Sequence, residues 1–355
     1  MSVFIIAEAG VNHNGDKKTA FQLIDAAVES TADAVKFQTF KAEELVSLQA
    51  PKAAYQSNNT NRRESQFEML KSLELSWDIH YDLMDHCAKR GITFLSTPFD
   101  ISSLTFLTHS LNLNTLKISS GDITNGPLLL SAGNSGCDII LSTGMSTLGE
   151  IKDALSVLAF GLTGMAGTPS RRAFKDAYAS INGQAKLKKK VSLLHCTTEY
   201  PAPFEDTNLL AMQTMRETFN LRIGLSDHTP GITISIAAAA LGAEIIEKHF
   251  TIDKMLSGPD HKASLEPHEL KHMVKSIRSV EKALGNGKKL PQPSEIENRD
   301  VVRKGLVALK PVKPGEIFDR ENLGVKRPGG GISPMDYWDK LGKKSKHELN
   351  EGEQL

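Results

Sequence analysis

The chain has 355 residues with 42 basic against 42 acidic side chains, a balance that gives no reason to expect nucleic acid or an anionic membrane as partner and leaves any anionic ligand to a local cluster of donors. The one stretch that invites comparison with a membrane span, residues 232–246, is broken by Thr233, Ser235, Gly242 and Glu244; it falls short of the roughly 20 apolar residues required and reads as a buried helix. Cys87, Cys137 and Cys196 have no paired spacing, and the opening apolar run lacks a basic lead and stops at Glu8, so a reduced, cytoplasmic protein without a secretory signal is expected.

In chain order, eight strand-like runs each end in a polar motif. Residues 4–7 lead into Glu8-Ala9-Gly10-Val11-Asn12-His13, 32–35 into Lys36-Phe37-Gln38-Thr39, 93–95 into Ser96-Thr97-Pro98-Phe99, and 115–116 into Lys117-Ile118-Ser119-Ser120-Gly121-Asp122. Residues 138–141 lead into Ser142-Thr143-Gly144-Met145, 191–194 into His195-Cys196-Thr197-Thr198-Glu199-Tyr200, 221–223 into Gly224-Leu225-Ser226-Asp227-His228, and 243–246 into Glu247-Lys248-His249-Phe250. Helical periodicity lies between them, at 19–30, 77–90, 150–159 and 208–219. Repeated β-then-α order predicts an α/β fold, a (β/α)₈ TIM barrel with its site at the carboxyl ends of the strands. The last barrel helix carries the apolar stripe Leu270, Met273, Val274, Ile277, Val280 and Leu284, with Ser264 as cap and Gly285 as stop.

An insertion at about residues 161–190 shows little period and is expected to be a solvated flap. The barrel is predicted to occupy 1–285, followed by a Gly/Lys/Pro-rich linker at 286–294 and a small β-rich domain at 295–355. About 60 residues make a marginal core, so that domain is expected to dock on another surface.

His228 and His249, at the ends of strands seven and eight, are placed to share a divalent ion, with Asp227 and Glu247 as acceptors that fix the imidazole tautomers. Two protein ligands leave open positions, which favours activation of a substrate oxygen over a structural role. Lys36 and Lys117 call for an anion. With the hydroxyls of Thr97, Ser120, Ser142 and Ser226 they can hold a carboxylate and a phosphate on one small molecule. Glu8 and Asp122 are the candidate proton handlers. His80, His86, His109, His268 and His272 fall on helical segments and are expected at the surface.

The ordered motifs resemble those of the sialic acid synthases, the nonulosonate synthases that condense phosphoenolpyruvate with an N-acetylated mannosamine-type sugar. The resemblance spans essentially the whole chain. Its end, Val325-Lys326-Arg327-Pro328-Gly329-Gly330-Gly331-Ile332-Ser333-Pro334-Met335, is similar to the family's antifreeze-like (β-clip) domain. The resemblance implies that His228 and His249 hold manganese, with magnesium or cobalt as substitutes, and that Lys36, Thr97, Lys117, Ser120, Ser142 and Ser226 hold phosphoenolpyruvate. It implies that Gln38, Tyr200 and Asp260 contact the sugar, that Phe99 belongs with the substrate-binding residues, and that Glu8 sits beside the reacting centre. Arg327 matches an arginine that reaches the partner's barrel in a domain-swapped homodimer.

Asp122 and Thr198 stand where some members carry Glu and Asn, and the insertion around Phe174 is absent from shorter members. The segment Leu256-Ser257-Gly258-Pro259-Asp260-His261-Lys262-Ala263-Ser264 resembles the sialic and legionaminic branches more than the pseudaminic one. The expected reaction is that of an N-acetylneuraminate synthase acting on N-acetylmannosamine. The alternative is an N,N'-diacetyllegionaminate synthase acting on 2,4-diacetamido-2,4,6-trideoxymannose. A Schiff-base aldolase and a non-catalytic carbohydrate-binding protein are the more distant readings.

Overall fold

The computed structural model describes residues 2–52 and 64–355. Eight parallel strands form one sheet: β1 Phe4–Gly10, β2 Ala34–Thr39, β3 Thr93–Pro98, β4 Thr115–Ile118, β5 Asp138–Ser142, β6 Val191–Cys196, β7 Arg222–Asp227 and β8 Ile245–His249. Ladders run from β3 through β2 and β1 to β8, then down through β7, β6 and β5 to β4. β3 and β4 lie side by side and bring the sheet close to a closed ring. Two units are distinguished, Met1–Gly285 and Asn286–Leu355.

Because each strand is covered on both faces, its inner and outer residues are both buried and differ in what they meet. Inside the ring, Ile6, Ala34, Leu95, Ile140, Leu194 and Ile245 make an apolar layer. Gly224 leaves room in it, since a Cβ there would stand 2.3 Å from the Ile245 carbonyl oxygen. Outside, a continuous core packs the strands against the helices. Two residues further along each strand, from Ile6 to Glu8, Ala34 to Lys36 and Ile245 to Glu247, the ring interior turns from apolar to charged, and this is where the motifs lie.

The expected helix over 77–90 is observed as Trp77–Arg90, capped by the Ser76 side chain and stopped at Gly91 in the left-handed region. The helices Lys17–Glu29, Leu148–Thr163 and Ala211–Phe219 overlap the other three predicted segments. Residues 232–246 do not form one helix: Thr233–Ala240 is helical, and Gly242 at φ 84° turns the chain into β8. Residues 161–190 are not an aperiodic flap either. They carry two helices, Arg171–Ala179 and Ile181–Lys190, which bury Ala177 and Leu187 in the main core and set Phe174 edge-on to Phe160 at 5.4 Å. The first carries its apolar side chains at helical spacing, Ala173, Phe174, Ala177 and Tyr178, a stripe little more than one turn long among charged residues. Ser264 does not cap the last barrel helix, Pro267–Leu284. Its hydroxyl donates to the Asp260 carbonyl and accepts from the Asn12 amide, while the Glu266 N–H at the helix entrance is met by Glu269. His80 is buried rather than superficial, bridging Thr39 Oγ1 and the Ser76 carbonyl, each at 2.9 Å. The others meet solvent, His86 only in part.

The second unit pairs β9 Gly305–Ala308 antiparallel with β10 Leu323–Lys326 over a small core that includes Leu306, Val312, Phe318 and Leu349. A helix, Pro293–Val302, runs across the position where linker was expected to give way to strand. Among the described residues no helix is long and apolar enough to cross a membrane.

Period-two alternation sends Lys248 outward, where it is fully buried with its ammonium 3.0 Å from Asp227 and hydrogen-bonded to the Thr229 carbonyl. Lys248→Met would leave Asp227 without its cation. A loss of about 3 kcal/mol is expected, measured by urea unfolding; a change within about 0.5 kcal/mol, as at an ordinary surface position, would show that the pair does not brace this loop.

Candidate active site

Apart from Arg327, every residue assigned to the site from the sequence lines one cavity of about 680 Å³. Arg327 lies in the second unit, exposed, immediately after β10. The cavity floor is a buried ionic layer. Lys36 Nζ is 2.5 Å from Glu8 Oε2, 3.6 Å from Glu247 Oε2 and 2.9 Å from Thr97 Oγ1, to which it donates. Lys117 Nζ is 3.4 Å from Glu247 Oε1. Strand register makes this possible, because Glu8 pairs with Lys36 across β1 and β2 and with His249 across β1 and β8.

Two ammoniums and two carboxylates balance, but their environments differ. Burial raises the Glu8 carboxyl, Lys36 opposes it, and the neighbouring Glu247 adds to the rise. Burial acts on Glu247 in the same direction and is overcome by Lys117 and Lys36, which hold it well below the usual carboxylate range. Glu8 is therefore the member that takes a proton first. Burial works against the Lys36 ammonium, but Glu247 and Glu8 more than compensate and its proton is retained. Lys117 is depressed by burial despite Glu247.

Glu247 and Asp227 do not serve the imidazoles as expected. Glu247 shares the inner face of β8 with His249 and instead accepts from Ser226 at 2.7 Å and faces both lysines. Asp227 points outward, accepting from Thr229, Ser235 and Lys248. The group that sets the His228 tautomer is the Thr197 carbonyl, 2.6 Å from Nδ1, so that nitrogen donates and Nε2 is left as an acceptor, 3.3 Å from Ser226 Oγ. Burial lowers His228 to about 4 and His249 well below its ordinary value, so both imidazoles are neutral. Their ring centroids are 5.6 Å apart, and Tyr200 packs 4.2 Å from His228 and 5.6 Å from His249. His249 Nδ1 is buried with no hydrogen-bond partner among the described residues, and Asp260 Oδ2 stands 3.9 Å away. Burial raises the Asp260 carboxyl to about 6. Among the described residues no group of three or more His, Cys, Asp or Glu forms a cluster that could hold a metal ion, so the histidines stand as a pair.

Opposite the histidines is a set of hydroxyls. Ser142 Oγ and Thr198 Oγ1 are buried without hydrogen-bond partners among the described residues, and Ser120 Oγ accepts from the Gly144 N–H at 3.0 Å and lies 3.0 Å from Cys196 Sγ. Gly144 is required there, since a Cβ would meet Thr198 Oγ1 at 2.2 Å. Asp122 is raised by burial, against a hydrogen bond from Asn125 at 3.1 Å. Thr198, which the resemblance sets where some members carry Asn, lines the cavity. Sequence reasoning misses Cys196 and the lysine-bridging role of Glu247: for Glu247 a signal exists, its two-residue spacing from His249 on one strand, whereas for Cys196 the proximity arises only across strands.

His13, in the first motif, is fully buried and lowered to about 3 by burial and by the nearby His80, while Asp16 opposes. The unfolded value is near 6.5, so on acidification the unfolded chain binds the proton first. Stability contributed by neutral His13 is complete above about pH 6.5 and falls toward pH 3, by about 1.4 kcal/mol per pH unit. The urea midpoint of His13→Gln should fall less steeply over that range than that of the wild type; parallel curves would sink the assignment.

The NeuB family model matches residues 23–289 and the SAF domain model residues 303–355. The chain is 50% identical to the N,N'-diacetyllegionaminic acid synthase of Campylobacter jejuni, over 98% of this chain and 97% of that one. It is 44% identical to the enzyme of the same name from Legionella pneumophila, over 100% of this chain and 94% of that one. A crystal structure of N-acetylneuraminic acid synthetase from Leptospira borgpetersenii is similar with a TM-score of 0.67 and 36% identity, covering 84% of this chain and 90% of that one.

Proposed function

The chain belongs to the NeuB family and ends in a SAF domain, and on that premise we propose that it is a transferase condensing phosphoenolpyruvate with 2,4-diacetamido-2,4,6-trideoxymannose to give N,N'-diacetyllegionaminate and phosphate. The observation that carries the chemistry is the cavity itself, in which two buried lysines and a set of hydroxyls face two neutral imidazoles. The choice of sugar follows the two relatives of that name, at 50% and 44% identity, over the N-acetylneuraminate synthetase at 36%. The expectation of N-acetylmannosamine as substrate gives way to its alternative.

Lys36 and Lys117, with Thr97, Ser120, Ser142 and Ser226, bind the carboxylate and phosphate of phosphoenolpyruvate by charge-assisted hydrogen bonds. Gln38, Phe99, Tyr200 and Asp260 hold the open-chain sugar so that C3 of phosphoenolpyruvate faces its aldehyde carbon. His228 and His249 fit a divalent cation, because both are neutral and His249 Nδ1 has no hydrogen-bond partner among the described residues. Manganese bound there would polarise the aldehyde oxygen. A C–C bond then forms, water adds at C2, and the C–O bond to phosphate breaks. Glu8 and Asp122, both raised by burial, are placed to take the proton of that water. Lys36, held as an ammonium between two carboxylates, is a poor imine nucleophile, which weighs against a Schiff-base aldolase.

The barrel is assigned to 1–285, the linker to 286–294 and the antifreeze-like domain to 295–355, in a cytoplasmic domain-swapped homodimer. Arg327, exposed after β10, is assigned to the acyl group of the sugar in the partner's barrel.

Phosphate release from phosphoenolpyruvate is expected only with sugar and divalent cation both present, with a condensation product of matching mass. Chelation should abolish it and manganese restore it, and His228→Ala should lose turnover while keeping its unfolding profile; undiminished turnover in metal-depleted buffer would overturn the metal assignment. Arg327→Ala is expected to raise the KM for sugar about tenfold, the loss of one charged hydrogen bond, with little change for phosphoenolpyruvate. An equal change for both substrates would remove Arg327 from the sugar site.

A further inference from the structure

The cavity does not end at its ionic floor. Gln38 Nε2, Glu8 Oε1 and His249 Cε1 all lie within 3.4 Å of the position a Cβ on Gly10 would take, so the Gln38 amide stands at the edge of the reacting centre. The next residue, Val11, begins a wall of another kind. It continues through Leu45 and Val46, at the end of the short helix after β2, through Met69 and Leu70 on the helix Gln66–Leu73, and through Phe99 after β3. Val11 and Met69 are buried, while Leu45, Leu70 and Phe99 are partly buried and pack on them, leaving apolar surface toward the cavity they line.

Nothing assigned to phosphoenolpyruvate or to the sugar aldehyde calls for such a wall, since those groups are anionic or strongly polar. The volume, about 680 Å³, is that of a site for small molecules, normally about 300–1,000 Å³. Gln66, one helical turn before Leu70, also lines the cavity and is the polar residue this helix presents there; a hydroxyl pressed against the apolar side chains themselves would lose its water without gaining a partner, whereas methyl groups would gain by burial. N-acetylmannosamine ends in a C6 hydroxymethyl with hydroxyls at C4 and C5. The 2,4-diacetamido-6-deoxy sugar ends in a C6 methyl and carries an acetamido methyl at C4.

We infer that this lobe is the specificity pocket for the far end of the acceptor sugar, taking its C6 methyl and C4 acetamido group, and that Leu45, Leu70 and Phe99 discriminate against a C6 hydroxyl. The inference rests on the synthase reading above. It places sugar selection on the β2 and β3 side of the mouth, away from the histidines, and makes a helix outside the barrel repeat a determinant of the substrate.

The test compares kcat/KM for 2,4-diacetamido-2,4,6-trideoxymannose and for N-acetylmannosamine, at saturating phosphoenolpyruvate and manganese, in the full-length wild type, Leu70→Gln and Leu70→Met. The wild type is expected to prefer the first sugar by about ten- to a hundredfold, the range for a small alkyl or hydroxyl difference in an apolar pocket. Leu70→Gln should cut that preference about tenfold through the KM of the deoxy sugar, with the KM of phosphoenolpyruvate unmoved, and Leu70→Met should retain it. Equal losses for both sugars, or a parallel rise in the KM of phosphoenolpyruvate, would make the wall merely structural. A wild type that prefers N-acetylmannosamine would overturn the pocket assignment and leave the synthase chemistry standing; phosphate release with neither sugar would overturn both.

Discussion

Two lysines and two glutamates buried in the mouth of a barrel are the constraint on which the site depends. A buried charge is tolerated only when paired, and removing one partner costs far more than the pair contributes. Lys36, Lys117, Glu8 and Glu247 come from four different strands, so their balance exists only when the ring is assembled in register. Directly beneath them the interior is apolar, with Ile6, Ala34, Leu95, Ile140, Leu194 and Ile245 excluding water. That floor makes the charges strong by lowering the local dielectric. In the proposed function this layer is the phosphoenolpyruvate site, where the arriving polyanion would take over lysine contacts made here by the carboxylates.

The same strands work on two faces. On β8, Glu247 and His249 point into the mouth while Lys248 points out; on β7, Ser226 lies inward and Asp227 outward. The outward pair ties down the turn that carries His228, and the Thr197 carbonyl on the neighbouring strand's loop sets its tautomer. The imidazoles are thus positioned by backbone and by a brace behind them, leaving the carboxylates of the mouth for the lysines. Around this rigid centre the loops differ in character, polar near β4 to β6 and apolar beyond β2 and β3. The first suits a phosphate, the second an alkyl group.

Much of this arrangement is legible in the amino-acid sequence. Strand-ending motifs identify inward groups because alternation along a strand is strict and the order of strands and helices admits few closures. Hence Lys36, Lys117, His228 and His249 could be placed in one mouth. The insertion differs from the expectation because the apolar spacing that marks its first helix, Ala173, Phe174, Ala177 and Tyr178, spans little more than one turn among charged residues, and its second helix buries Leu187 but leaves Ile181 exposed. His80 was misread because a helix periodicity says which face is buried only when the apolar stripe dominates, and here a polar residue was taken in by Thr39 and Ser76.

What the amino-acid sequence determined by itself was the repeat, the end of the barrel at which the functional groups sit and the types of group present there, because these follow from local periodicity and chain order. Tertiary structure decided who pairs with whom. Glu247 belongs to the lysines and Asp227 to Lys248, Thr197 orients His228, and Cys196 and Thr198 close around Gly144. Each of these relations crosses strands, and distance between strands is set by register and ring closure, which no local pattern encodes.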